Sequence, residues 1–277
     1  MQLSIVTINL NHAVGLRRTI ESVLCQSFDD FEFIVIDGAS TDSSAAVIAE
    51  YRNYIDFAVS EPDKGIYSAM NKGIVKSKGD YILFLNSGDY LEDEVLERVF
   101  SEINDEMIVY GDFYTSKDGK RAGQCFVQPD ELTMLNFFGL SIQHNATFIR
   151  RSLFENELYD EHYRIVSDRF FFIQKIIIEN CTYKHLRFPV IYYELDGYAS
   201  KEENQPLHLQ EVADMLNHFL PQRVQTDYKR MQNIRQLKLD VLADDFASAK
   251  WFRRWSAHGI VCLTISYIKI RNFFEQN

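Results

Sequence analysis

The feature that most restricts what this chain can fold into is an alternation. Over the first 115 residues, short apolar runs take turns with segments of helical period. Leu3-Ser-Ile-Val-Thr-Ile-Asn9, Phe31-Glu-Phe-Ile-Val-Ile36 and Tyr81-Ile-Leu-Phe-Leu85 read as buried strands, with Asp56–Ser60 a weaker one and Met107–Tyr110 another. Between them, Gly15–Ser27 carries Leu16, Ile20, Val23 and Leu24 at helical spacing, and Ala45–Tyr51 follows the cap candidates Ser40, Thr41, Asp42 and Ser43. Ile66–Lys76 and Asp93–Ile103 also read as helices. Strands alternating with helices imply an α/β fold with a doubly wound, mainly parallel, Rossmann-like sheet. In such sheets crossovers are right-handed and ligands bind outside the carboxyl ends of the strands. That rule lines up Asn9, Asp37 and Asn86-Ser87-Gly88-Asp89 on one rim.

Past Tyr114 the pattern changes. Lys117-Asp-Gly-Lys120 reads as a hairpin tip, and Ala146–Ile149 and Val190–Tyr193 as strands. Arg169–Glu179 reads as a strongly apolar helix preceded by Ser167-Asp168, and from about residue 205 the pattern is mostly helical. No repeat or low-complexity linker interrupts the chain.

Bulk properties exclude several classes. A chain of 277 residues accommodates one or two domains. A formal net charge of -11 argues against a nucleic acid as main partner. Cys25, Cys125, Cys181 and Cys262 lack CxxC spacing, which fits reduced thiols better than a zinc site or a disulfide framework. The first residues lack the design of a secretion signal, and no apolar run reaches the roughly 18 residues of a membrane span. The expectation is a soluble, cytoplasmic protein. The turn after the first strand, Asn9-Leu-Asn-His12, lacks the glycines of a dinucleotide site, which disfavours an NAD-linked oxidoreductase, and no GxxxxGK[ST] occurs.

Several segments, ordered and correctly spaced, resemble the GT-A glycosyltransferases of the inverting family 2. They are Ser4-Ile-Val-Thr-Ile-Asn9, Glu21-Ser-Val-Leu-Cys-Gln-Ser27, Val35-Ile-Asp37-Gly-Ala-Ser-Thr-Asp42, Asn71-Lys-Gly-Ile74 and Lys78-Gly-Asp-Tyr-Ile-Leu-Phe-Leu85. The runs EPDKGIYSAMNKGI and FLNSGD resemble, within that family, bacterial polysaccharide-assembly members of the colanic-acid type. The resemblance covers about residues 1–200: a nucleotide-binding half over 1–115 and an acceptor half over 116–200. A mostly helical extension would occupy 201–277.

The resemblance implies a sugar transfer from a nucleotide-diphosphate sugar, UDP-linked, to a glycan or lipid-linked acceptor. It also implies roles. Asn86-Ser87-Gly88-Asp89 occupies the DXD position, where carboxylates hold Mn2+ or Mg2+ against a diphosphate. Here the first acid is the neutral Asn86, so Asp89 would be the lone metal ligand, with diphosphate oxygens completing the shell. Thr7, Asn9, Asn86 and Gly88 would line the nucleotide, although Thr7 and Asn9, as buried polar residues at a strand end, could equally be satisfied by backbone. Asp37 would accept a hydrogen bond from the uracil imide, its alternative being a turn residue or helix cap. Lys64 would offset diphosphate charge as a point cation, or be a solvated loop lysine. Asn71 and Lys72 would be structural or nucleotide-facing. Asp168 would be the general base, its alternative being a helix N-cap. Gln143 and His144 echo an acceptor-side strand, where His144 would bind acceptor or product phosphate oxygens, its alternative being a hydrogen-bonded structural histidine. A catalytically silent nucleotide-sugar-binding or complex-forming protein is the rival reading, motivated by Asn86.

Residues 250–274 mix Trp251, Trp255 and lysines and arginines with an apolar centre. This composition leaves two readings open: a helix lying on the inner membrane face, or one packed on the core or across a homodimer.

Overall fold

The computed structural model describes residues 1–195 and 202–234. The chain forms two compact units, 1–220 and 221–277.

The first unit is built on a nine-stranded mixed sheet. Its parallel part is β1 (Leu3–Asn9), β2 (Phe31–Asp37), β3 (Phe57–Ser60) and β4 (Tyr81–Phe84), in the order β3-β2-β1-β4. The crossovers are α1 (Ala13–Leu24), α2 (Ser44–Glu50) and α3 (Ile66–Lys76). Every residue of β1 and β4 is buried, as are six of the seven in β2. Helices on both faces explain why these runs are continuously apolar rather than alternating. α1 buries Leu16, Ile20 and Val23 at i, i+4 and i+7. Leu3, Ile5, Phe33 and Val35 meet them in one core.

Beyond β4 the sheet turns mixed. β5 (Tyr90–Leu91) is a two-residue edge strand, followed by α4 (Val95–Glu102) and then β6 (Ile108–Lys117) and β7 (Lys120–Phe126). α5 (Met134–Gly139), β8 (Thr147–Arg150), α6 (Ser167–Phe172), β9 (Tyr183–Glu194) and α7 (Gln205–Phe219) complete the unit. β8 runs antiparallel between β4 and β6, and β6 runs parallel to β9 over most of its length. The β6–β7 hairpin turns at Asp118 and Gly119, both at positive φ (52° and 73°), as the Lys-Asp-Gly-Lys signal predicts. α6 continues as a π-helical segment over Ile173–Ile178.

α7 belongs to this unit, so its boundary falls at residue 220. The carboxylate of Glu211 accepts from the backbone N–H groups of Arg164 and Ile165, and Asp214 accepts from the Tyr163 hydroxyl at 3.0 Å. Of the second unit, residues 222–234 form a helix. Residues 250–274, and with them the membrane or dimer reading, lie outside the described residues. No described helix is long and apolar enough to cross a membrane.

Candidate active site

Parallel pairing of β1 with β2 puts Asn9 opposite Asp37, at the carboxyl ends that the fold leaves open. Asp37 is fully buried. Its two oxygens accept from Asn9 Nδ2 (2.7 Å), the Ser40 backbone N–H (3.0 Å), Ser40 Oγ (2.6 Å) and Ser60 Oγ (2.5 Å). Burial alone would raise its pKa, but the Ser40, Ser60 and Asn9 donors outweigh it and hold the carboxyl below its ordinary value. A carboxylate has about four lone-pair sites, and here all are engaged. Asp37 therefore clamps the rim together rather than presenting an acceptor to a base. Thr7 takes the backbone alternative: it is fully buried and donates to the Leu85 carbonyl at 2.8 Å, tying β1 to the end of β4. The rim's spare acceptors are amides. Asn9 Oδ1 and Asn86 Oδ1 are both buried without a hydrogen-bond partner among the described residues, and a buried acceptor in that state calls for a donor.

The Asn86–Asp89 turn departs most from expectation. Asp89 points inward and is 4% exposed. One oxygen accepts from the Glu194 backbone N–H at 2.8 Å and the other from the Asn145 amide. Burial, offset in part by these two donors, pushes its pKa up to about 7. Glu194 continues the brace: its carboxylate takes Arg18 (2.9 Å), Ser116 (3.1 Å) and the N–H groups of Asp118 and Gly119. Asp89 thus joins the β4–β5 turn to β9, and through Glu194 to the β6–β7 hairpin.

A divalent cation does not fit this donor set. Asp89 is 4% exposed and each of its oxygens already accepts from the protein, so reaching a cation would take it out of the core, and Asn86, Ser87 and Gly88 supply no carboxylate. Among the described residues no group of three His, Cys, Asp or Glu side chains is placed to hold a metal. The lone-ligand expectation for Asp89 is therefore corrected, because its partners draw it into the core.

Across the rim, Asp168 stands in the first turn of α6, two residues past the N-cap Val166. It is not the N-cap. It is half-buried. Tyr67 on α3 donates to Asp168 Oδ1 at 2.7 Å and also lies 2.8 Å from the Ile165 carbonyl. No described residue donates to Oδ2. Burial and the neighbouring Asp168 charge keep Tyr67 well above the usual phenol range, so it remains a donor. Tyr159 is raised for the same two reasons, and His144 is pushed down by burial against the opposing pull of Asp168.

Several expected contacts turn out to be supports for this corner. Asn71 bonds Tyr159 in both directions, Nδ2 to its carbonyl (2.9 Å) and Oδ1 from its N–H (3.0 Å), and reaches Glu161. It pins the 159–161 loop and is structural rather than nucleotide-facing. His144 is buried, stacked on Phe84 at 4.9 Å and 2.7 Å from the Tyr159 hydroxyl. That commits one ring nitrogen to a scaffold contact rather than to an acceptor sugar. Gln143 is half-buried before it, its carbonyl accepting from Thr147. Lys64 is exposed on the loop between β3 and α3, while Lys72 pairs with Glu61 at 2.9 Å.

Sequence reasoning missed Tyr67, Asn145, Glu194 and His12. Tyr67 lies inside the EPDKGIYSAMNKGI run, and its place in the first turn of α3 is the available signal. Asn145 and Glu194 meet Asp89 from 56 and 105 residues away, and nothing local announces such pairings.

The mixed, mostly parallel sheet and its flanking helices have the architecture of the GT-A class. The model of glycosyl transferase family 2 matches residues 4–156, and the chain belongs to that family. A "PGL/p-HBAD biosynthesis glycosyltransferase" of Mycobacterium bovis (strain BCG / Pasteur 1173P2) is 34% identical over 173 residues, 60% of this chain and 66% of that protein. An uncharacterized glycosyltransferase of Mycobacterium tuberculosis (strain ATCC 25618 / H37Rv) is 42% identical over 87 residues, 31% of this chain and 33% of that one. The matches thus span about two thirds or less of these relatives. Among solved structures, S. aureus TarS 1-349 in complex with UDP superposes with a TM-score of 0.61 at 19% identity, covering 82% of this chain and 69% of that one. The mannosyltransferase PcManGT from Pyrobaculum calidifontis, in complex with GDP-Man and Mn2+, gives 0.60 at 13% identity, covering 97% and 80%.

Proposed function

We propose that this glycosyltransferase moves a sugar from a UDP-linked donor onto a hydroxyl of a glycan or lipid-linked acceptor, with inversion, in the assembly of a surface polysaccharide. The observation that carries the reading is Asp168: a half-buried carboxylate with Oδ1 held by Tyr67 and Oδ2 unclaimed among the described residues. In the transfer the acceptor oxygen attacks the anomeric carbon. The bond from that carbon to the diphosphate oxygen breaks, and the acceptor's proton passes to Asp168 Oδ2. An aspartate is a weak base, so the proton moves late, as the attacking hydroxyl acidifies. Tyr67 holds the carboxylate in line for that step.

The orphan acceptors support a nucleoside on the rim. Asn9 Oδ1 and Asn86 Oδ1 call for N–H or O–H donors, and an imide N–H and ribose hydroxyls are such donors. TarS bound to UDP and to UDP-GlcNAc shares the fold, which favours the uridine choice. Because the donor set does not fit a cation, no step is routed through one. Asn86 also keeps a second reading in play, a silent nucleotide-sugar binder.

Asp168→Asn separates the two. The enzyme reading predicts unchanged UDP affinity and turnover down at least a thousandfold; unchanged turnover would take the role from Asp168, and wild type binding no nucleotide would end the donor reading. The composition of residues 250–274 adds attachment to the inner membrane face, where lipid-linked acceptors reside. Equal flotation with anionic vesicles by the full chain and by residues 1–245 would remove that attachment.

A further inference from the structure

The Asn86–Asp89 turn leaves a charge problem that the structure itself answers. A donor lying across the carboxyl ends of β1, β2 and β4 brings its diphosphate to this turn. A diphosphate needs cations or N–H donors, and the turn's only carboxylate faces the core. We infer that His12, not a metal ion, meets the diphosphate here, so that donor binding is metal-independent. The inference rests on the nucleotide-sugar reading above.

Two features of the turn carry it. First, Gly88 sits at φ +107°, a conformation that disfavours any side chain. Second, the space a side chain would enter is already taken. A Cβ on residue 88 would lie 2.8 Å from His12 Cε1 and 3.3 Å from its Nδ1. The imidazole of His12 therefore occupies the place over the turn where a metal-binding carboxylate at position 88 would begin, and both the backbone and the ring exclude such a residue.

His12 is also held there. Its Nδ1 lies 3.1 Å from the Ser87 carbonyl. A carbonyl only accepts, so Nδ1 carries the hydrogen, and this bond fixes the ring on the turn. Nε2, on the far side of the ring, has no partner among the described residues, and the side chain is exposed. With Nδ1–H given to Ser87, Nε2 is a donor only when the ring carries both protons, and it then offers a phosphate oxygen a charge-assisted hydrogen bond of the kind roughly twice as strong as a neutral one. Arg18 also stands at the turn, its Nη1 2.9 Å from Glu194 and 3.5 Å from the Gly88 carbonyl, so a carboxylate already meets part of its charge, and Asp42 accepts from the Ala13 N–H at 2.9 Å, tying down the chain just after His12. Lys64 is the competing cation on this rim, and the test includes it.

Calorimetric titration of the full chain with UDP and UMP, and with GDP and GMP, in EDTA or in Mn2+, decides the matter without reference to turnover. The expected results are a diphosphate preference that persists in EDTA and a wild-type diphosphate affinity that Mn2+ alters less than twofold. His12→Ala should weaken diphosphate binding about tenfold and monophosphate binding less than twofold. His12→Gln, which keeps an N–H donor without the charge, should lose less. Lys64→Ala should change neither. A tenfold gain from Mn2+ in wild type would overturn the inference. So would an intact diphosphate preference in a folded His12→Ala protein, or its loss in Lys64→Ala instead. Binding of no nucleotide in any condition would remove the donor reading and this inference with it. Monophosphate binding without a diphosphate preference would remove the inference alone.

Discussion

Asp89 and Asp168 are both lone carboxylates beside the same rim, and they differ in what their oxygens already hold. Asp89 is almost wholly buried, with one oxygen on the Glu194 backbone and the other on the Asn145 amide. Asp168 is half-buried, with one oxygen on Tyr67 and the other unclaimed among the described residues. A motif position therefore does not settle a role. A carboxylate drawn into the core by a donor on each oxygen serves as a brace, and a half-buried one with an oxygen unclaimed among the described residues is the one we propose as the reagent. The same distinction separates Asp37, saturated by Asn9, Ser40 and Ser60, from the amides of Asn9 and Asn86, which carry the rim's unmet acceptors.

The comparison breaks first if Asp89 can be removed cheaply. Asp89→Ala leaves the Glu194 N–H and the Asn145 amide without an acceptor, a loss of roughly 2–5 kcal/mol in urea unfolding. A change under 1 kcal/mol would show that the brace does not bear on the fold.

Its pH dependence sharpens the point. The folded-state pKa of Asp89 is raised to about 7 from an ordinary 3.8, so the folded protein favours the protonated acid. This group's contribution to stability is then full below pH 4, falls between pH 4 and 7 by about 4 kcal/mol, and is flat above. Asp89→Asn keeps a carbonyl for the Glu194 N–H and should remove that part of the slope. An unchanged slope in Asp89→Asn would place the titration elsewhere.

Asn71→Ala cuts the two-way bond to Tyr159 and should cost about 1–3 kcal/mol with nucleotide affinity unchanged. A selective loss of nucleotide affinity would return Asn71 to the donor site. The smallest expected effect is at Tyr67. Tyr67→Phe frees Asp168 Oδ1 and should lower kcat about tenfold with the donor KM within twofold. A rise in donor KM with kcat kept would make Tyr67 a binding residue instead.

Much of the scaffold was legible because its signals are local. α3 runs over Ile66–Lys76, as its spacing predicts, and β1 and β2 end within a residue of expectation. β6 and β9 were read as four-residue strands but extend to 10 and 12 residues. Their added parts, such as Gly-Asp-Phe-Tyr-Thr-Ser-Lys, mix polar residues into a partly exposed ladder, so no apolar run marks them. Asp168 was legible as a carboxylate ahead of an apolar helix, although the helix starts one residue before it. The direction in which Asp89 points was not legible, because it is fixed by partners on β9 and before β8 that only the folded sheet brings near.

The most direct test sets the two carboxylates side by side: product formation by Asp89→Asn and Asp168→Asn with the same donor and acceptor, each variant shown to be folded. The account predicts that Asp89→Asn stays within about fivefold of wild type while Asp168→Asn falls at least a thousandfold. An inactive Asp89→Asn beside an active Asp168→Asn would contradict it.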